Sequence, residues 1–230
     1  MAVGVDSSQI REKGTVIAMT ATINSKFSQM FNRTEIIEKK NQTQLKFCVA
    51  KFLKDAVKEF KKKRIFIDGI VIYRKGVSLH QENYIENEEK QIYLFCKDNK
   101  IRYYYILVNT KSNYKFFETN KEQTKFENPA PGLLMFKDIT VPNFFEFYIQ
   151  SQKVKSGSAT PTLYNVLNGD LNLPEMIMYL TYYLCQIYPN WQGPIRIPNV
   201  LKNAEKLSKM TTKITKEVLH KNLELGQSYL

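Results

Sequence analysis

Residues 69–78 read GIVIYRKGVS, and the interpretation of the whole chain turns on them. The apolar run Ile70-Val71-Ile72-Tyr73 predicts a short buried strand, which Arg74-Lys75-Gly76-Val77 brings to an end. Such a strand delivers one side chain to the edge of a sheet, the place where many enzymes put a catalytic carboxylate. Here the delivered group is the ammonium of Lys75. Upstream, residues 43–62 carry Leu45, Phe47, Cys48, Phe52, Leu53, Ala56, Val57 and Phe60 at helical spacing, with lysines on the opposite face. Lys61-Lys62-Lys63-Arg64 closes that helix, where positive charge suits the dipole.

Working outward, Val3-Gly4-Val5-Asp6 predicts an opening strand ending in an acid, and the β-branched run at 15–23 follows a Lys13-Gly14 turn, so the two form a hairpin. A weaker helix over 81–96 precedes a strand at 101–108. Short strands are expected at 116–117, 132–141 and 144–150, then a polar loop at 153–162. A helix begins at Pro174 and continues through Met176, Leu180, Leu184 and Ile187, residues 194–198 are extended, and a basic helix covers 200–221. Neither a repeat nor a break in composition divides the chain, so one α/β domain is the economical reading. The order of elements is that of an RNase H-like fold, in which a mixed central sheet flanked by helices holds acidic residues at neighbouring strand ends. There they share two divalent metals that hydrolyse a phosphodiester.

The bulk numbers narrow the function classes. The 230 residues are 43% apolar and 13% aromatic, a globular composition. A net charge of +12 fits a polyanionic partner, nucleic acid or an anionic membrane surface, although scattered lysines also serve solubility alone. Three cysteines without a CxxC, and the isolated His80 and His220, exclude a zinc ribbon and a disulfide framework. Cys48, Cys96 and Cys185 sit among apolar residues and read as buried thiols. No apolar run approaches the ~20 residues of a membrane span, and the start lacks the form of a signal peptide. The expected location is cytoplasm or nucleus, with no membrane partner.

Several motifs are distinctive in themselves and occur in a telling order. They are Val3-Gly4-Val5-Asp6, Tyr73-Arg74-Lys75-Gly76-Val77, Asn128-Pro129-Ala130-Pro131-Gly132 and Pro161-Thr162-Leu163-Tyr164-Asn165-Val166-Leu167. Leu180-Thr181-Tyr182-Tyr183-Leu184-Cys185, Ile195-Arg196-Ile197-Pro198 and the final Tyr229-Leu230 complete the series. Together they resemble the PIWI domain of the Argonaute/PIWI family, closer to the PIWI branch, over essentially the whole chain. The resemblance implies a domain that holds a small guide RNA paired to complementary RNA and, in active members, cuts the target. It also implies that the PAZ module and most of the MID module lie outside residues 1–230, and that protein effectors are partners.

Active members use an Asp-Asp-His set and a glutamate finger. By resemblance Asp6 holds the first position and Glu35 matches the finger. The family's Tyr-Arg-Asp-Gly-Val is here Tyr73-Arg74-Lys75-Gly76-Val77, and its late Ala-His is Ala204-Glu205. The expectation is therefore a substituted slicer site with no metal and no cleavage. Magnesium demands hard oxygen ligands, and at ~4 Å an ammonium opposes a cation by about 4 kcal/mol per unit charge at an effective dielectric near ~20. Lys75 between Asp6 and Glu205 would make an ion cluster instead. Asp68, roughly 23 Å back along an extended strand, and Glu82, beyond the glycine turn, are poor replacements.

Lys111 and Lys115 match cationic positions that face the guide backbone in the family. Lys153, Lys155 and Ser158 are similar candidates, and Lys202, Lys206 and Lys209 share one face of the last helix, toward the same groove or simply toward solvent. Leu230 corresponds to the buried C-terminus, whose carboxylate helps magnesium hold the guide 5′ phosphate where a MID domain is present; otherwise it only packs. The apolar face of residues 174–188 would take partner tryptophans or serve the core. Two other readings remain: a guided magnesium-dependent endoribonuclease with residual activity, and a protein-interaction scaffold without RNA.

Overall fold

The computed structural model describes residues 1–11, 13–63, 66–77, 81–119, 121–122, 124–136, 145–154, 156–169, 174–215 and 217–226. In chain order the strands and helices are β1 (Ala2–Ile10), β2 (Gly14–Thr22), β3 (Met30–Glu38), α1 (Leu45–Lys62), β4 (Gly69–Arg74), α2 (Glu82–Asn99) and β5 (Arg102–Asn109). They continue with β6 (Glu118–Thr119), β7 (Phe126–Glu127), β8 (Leu133–Phe136), β9 (Phe145–Gln150), β10 (Thr162–Asn168), α3 (Pro174–Gln186) and α4 (Asn199–Met210).

These elements form two compact units. One comprises Met1–Tyr105, Asn168–Asp170 and Val200–Leu230, the other Ile106–Leu167 and Leu171–Asn199. The chain passes between them repeatedly, and β5 itself is divided, so no linker or shift in composition marks the division.

In the first unit the strands lie in the order β3-β2-β1-β4-β5. β1, β2 and β3 form an antiparallel meander, and β4 runs parallel to β1 with Val5 opposite Arg74. Alternation along β1 decides what each side chain meets. The face carrying Phe31, Arg33 and Glu35 is covered by α1, whose Phe52 ring stacks on Phe31 at 5.4 Å and whose Asp55 pairs with Arg33 at 2.7 Å. The face carrying Gly4, Asp6 and Ser8 receives α4. A Cβ on Gly4 would lie 2.3 Å from the Val200 carbonyl oxygen, so only glycine lets α4 approach so closely.

In the second unit β10, β9 and β8 follow the outer half of β5, and β10–β9 and β9–β8 pair antiparallel. Phe147 stacks on Tyr164 at 5.0 Å in its core. Asn128 ties the polar loop down, donating to the Gly157 carbonyl and accepting from the Ala159 amide, each at 2.7 Å.

Several boundaries differ from those read in the sequence. β3 and β10 are strands that the sequence pattern did not indicate. Strand β4 begins at Gly69 rather than at 65, Phe116 and Phe117 lie outside a strand, and 194–198 holds no ladder. The last helix stops at Met210 and passes into a π-turn over Thr211–Thr215. There the Thr212 hydroxyl donates to the Ser208 carbonyl at 2.7 Å, loosening the helical register. The expected strand segment at 137–144 lies outside the described residues.

Candidate functional site

Parallel pairing of β1 with β4 sets Asp6 and Lys75 side by side. Val5 and Arg74 form the last rung, and the Lys75 amide still donates to the Val5 carbonyl at 2.8 Å as the strands part. Gly76, at φ +83°, turns the chain away, and the Ser7 hydroxyl donates to its carbonyl at 3.2 Å. Behind them Arg74 is fully buried. Its Nε donates to Glu88 Oε1 at 2.9 Å, its Nη2 to the Tyr84 hydroxyl at 3.1 Å and its Nη1 to the Lys75 carbonyl at 2.5 Å. Tyr84 and Tyr105 donate to Glu88 at 2.5 and 2.6 Å, so this buried pair is enclosed by partners. The sequence pattern gave no hint of it, because Glu88 belongs to a helix rich in exposed acids.

Helix α4 completes the cluster. Gly4 seats its first turn on β1, and successive turns bring Glu205 and then Ser208 to the strand ends. Lys75 Nζ lies 3.3 Å from Glu205 Oε1, Lys209 Nζ lies 2.7 Å from the same oxygen, and Lys202 Nζ lies 3.3 Å from Oε2. Burial disfavours the Glu205 charge. The hydrogen bond from Lys209 and the charges of Lys75, Lys202 and Lys209 outweigh it and hold the carboxyl at about 2, below its ordinary 4.5. Asp6 behaves oppositely: burial pushes its carboxyl up, only partly offset by a hydrogen bond from Ser208 and the charges of Lys75 and Arg74. Ser208 and Thr212 both bond the Ser8 hydroxyl, at 2.7 and 2.6 Å. The site is thus two carboxylates, three ammonium groups and a bank of hydroxyls.

Glu35 is not brought to this cluster. It stands opposite Ile17 and Ser7, whereas Asp6 stands opposite Ala18 and Thr34, so the two carboxylates lie on opposite faces of the sheet. Glu35 accepts from the Cys48 thiol at 3.3 Å and pairs with Lys51 at 3.4 Å, both on α1. Glu35, which matches the finger position by resemblance, is thus held against α1 and not beside Asp6. Asp68 is exposed and bonded to Arg102, and Glu82 is exposed at the start of α2; neither joins Asp6. Among the described residues, no group of three or more His, Cys, Asp or Glu is placed to hold a metal.

Of the residues read as RNA contacts, Lys202 and Lys209 are occupied with Glu205, and Lys206 is half-buried beside them. In the second unit Lys111, Lys115, Lys153 and Ser158 are exposed, and Lys115 Nζ donates to the Thr160 hydroxyl. Lys155 and Leu230 lie outside the described residues. All three cysteines are buried and free, and burial pushes each thiol up to about 12. On α3, Ile177, Met178, Leu184 and Cys185 are buried, while Met176, Tyr179 and Tyr183 are exposed. No described helix is long and apolar enough to cross a membrane.

A Piwi-domain family model matches residues 1–216. Protein argonaute-3 of Drosophila melanogaster is 33% identical over 212 residues, covering 90% of this chain and 24% of that protein. Piwi-like protein 1 of Gallus gallus is 33% identical over 220 residues, covering 90% of this chain and 25% of the relative. The chain therefore spans about a quarter of the length of these curated relatives. The crystal structure of Drosophila Piwi superposes with a TM-score of 0.81 at 26% identity, covering 100% of this chain and 32% of that one. That of Kluyveromyces polysporus Argonaute with a guide RNA gives 0.82 at 16% identity, again over 100% of this chain and 32% of the other. The mixed sheet flanked by helices is thus the RNase H-like architecture of Piwi domains.

Proposed function

Because the chain belongs to the Argonaute/PIWI family through its Piwi domain, we propose that it holds guide and target RNA in RNA-guided silencing without cutting the target. The observation that carries the non-cleaving part is the ion pair of Lys75 and Glu205 at 3.3 Å, formed where β4 ends beside Asp6. A two-metal mechanism needs carboxylate or imidazole donors converging on cations. In this cluster Glu205 already faces three ammonium groups, and Asp6 is a buried carboxyl that burial disposes toward its neutral form. This donor set does not suit a pair of divalent ions, so no hydrolytic step runs through it. Its cationic excess suits a different task. A backbone phosphate set against Lys75, Lys202 and Lys209 is attracted without a metal, and such a contact positions RNA without reading its sequence.

Support for the RNA-holding part comes from the family, from the charge of +12, and from the exposed Lys111, Lys115 and Lys153. Effect on the target then depends on protein partners recruited to the complex, in the cytoplasm or the nucleus. The test is to recover the protein from cells, sequence any RNA bound to it, and assay cleavage of a matched target with magnesium. Short RNA bound and target left intact is the expected result. A magnesium-dependent cut at one position would establish a slicer, and absence of co-purifying RNA would favour a protein scaffold.

A further inference from the structure

The second unit contains an open cavity of about 990 Å³ whose lining includes Lys153 from the polar loop and Trp191 from the segment after α3. Trp191 is the only tryptophan in the chain, and it is 66% exposed. An indole left in water costs stability that burial would recover. The segment is nevertheless held firmly. Tyr188 and Ile195 at its two ends are buried, the Ile195 amide donates to the Cys185 carbonyl at 2.8 Å, and the Ser151 hydroxyl donates to the Ile195 carbonyl at 2.7 Å. Gly193, at φ +95°, makes the turn between these anchors. The indole is therefore presented by a braced loop.

Resting on the RNA-holding reading above, we propose that Trp191 is a stacking platform for one unpaired RNA base, with Lys153 taking the adjoining phosphate. Three features favour this occupant. The described lining residues include a lysine and no acid, which complements a polyanion. Gln152, Asn190 and Gln192 add amides able to bond a base edge or a ribose hydroxyl. An exposed aromatic beside a cation is the combination by which proteins hold single strands, because every base offers a ring face. A paired base is already stacked within its helix, so the site distinguishes unpaired RNA from duplex.

The solitary tryptophan makes the test direct. The 230-residue protein is titrated with a labelled, unstructured single-stranded RNA while RNA anisotropy and tryptophan emission are read together. Anisotropy should rise and emission fall along the same curve, and blunt duplex RNA should raise anisotropy without quenching. Trp191→Ala should weaken single-strand binding about tenfold, with Trp191→Phe within about threefold of the parent. Lys153→Ala should lower the salt dependence by about one phosphate contact. A rise in anisotropy without quenching, or an unchanged affinity for Trp191→Ala, would overturn the stacking site and leave the RNA-holding reading standing. No rise at all would overturn both. Quenching by a proline-rich peptide but not by RNA would also overturn it and assign the groove to protein.

Discussion

Three ammonium groups converge on Glu205, and its carboxyl titrates accordingly. The folded value of about 2 lies below the ordinary 4.5, so the protons taken up in acid favour the unfolded chain. The stabilisation is complete above pH 4.5 and disappears as the pH falls toward 2. Solvent screening of this partly buried site limits it to about 2 kcal/mol. Glu205→Gln should therefore flatten that section of a urea-midpoint profile against pH, and an unchanged acid slope would show that the three lysines leave Glu205 unperturbed. Asp6 works in the opposite sense, since its raised carboxyl favours the fold when protonated. The buried thiols give an independent check at the same scale. With Cys48, Cys96 and Cys185 buried and raised to about 12, native protein should resist alkylation, and all three should react only in denaturant.

At the level of strands and helices, the Arg74–Glu88 pair ties the end of β4 to α2, and its energetics are those of a buried ion pair. Arg74→Met or Glu88→Met alone should cost about 3–5 kcal/mol by equilibrium unfolding, because each leaves an uncompensated partner. The double replacement Arg74→Met with Glu88→Met should lie closer to the parent than either single change; additive losses would contradict the coupling. The strands around residues 3–6 and 70–74 and the two long helices were legible in the sequence because apolar pattern is a local signal, whereas the meeting of Lys75 with Glu205 was expected only from the family resemblance. β3 was not. Its inward Asn32 and Thr34 look like loop residues until their partners appear: the Asn32 side chain donates to the Glu224 and Gly226 carbonyls, and the Leu219 amide donates to Thr34. Those partners lie far along the chain, beyond the reach of any window. The face that Glu35 occupies was hidden for the same reason, since it depends on a register with β2 that the unrecognised strand concealed.

For the whole molecule, the proposed reading gives a charge of +12 and a cluster rich in ammonium groups the task of holding RNA phosphates without a metal. Affinity for RNA should fall steeply as salt rises, in proportion to the phosphates contacted. It should not change when EDTA replaces magnesium at constant ionic strength, as measured by anisotropy; a marked loss in EDTA would point to a metal bridge. Repair of the site is informative as well. Lys75→Asp with Glu205→His restores oxygen and imidazole donors beside Asp6, and calorimetry should then detect manganese binding that the parent lacks.

The most direct measurement is a crystal of the parent protein soaked in manganese and examined for anomalous scattering at the ends of β1 and β4. The account predicts no manganese peak ligated by Asp6 and Glu205, with Lys75 Nζ still against the Glu205 carboxylate. A manganese ion coordinated by both carboxylates, with Lys75 turned aside, would contradict it.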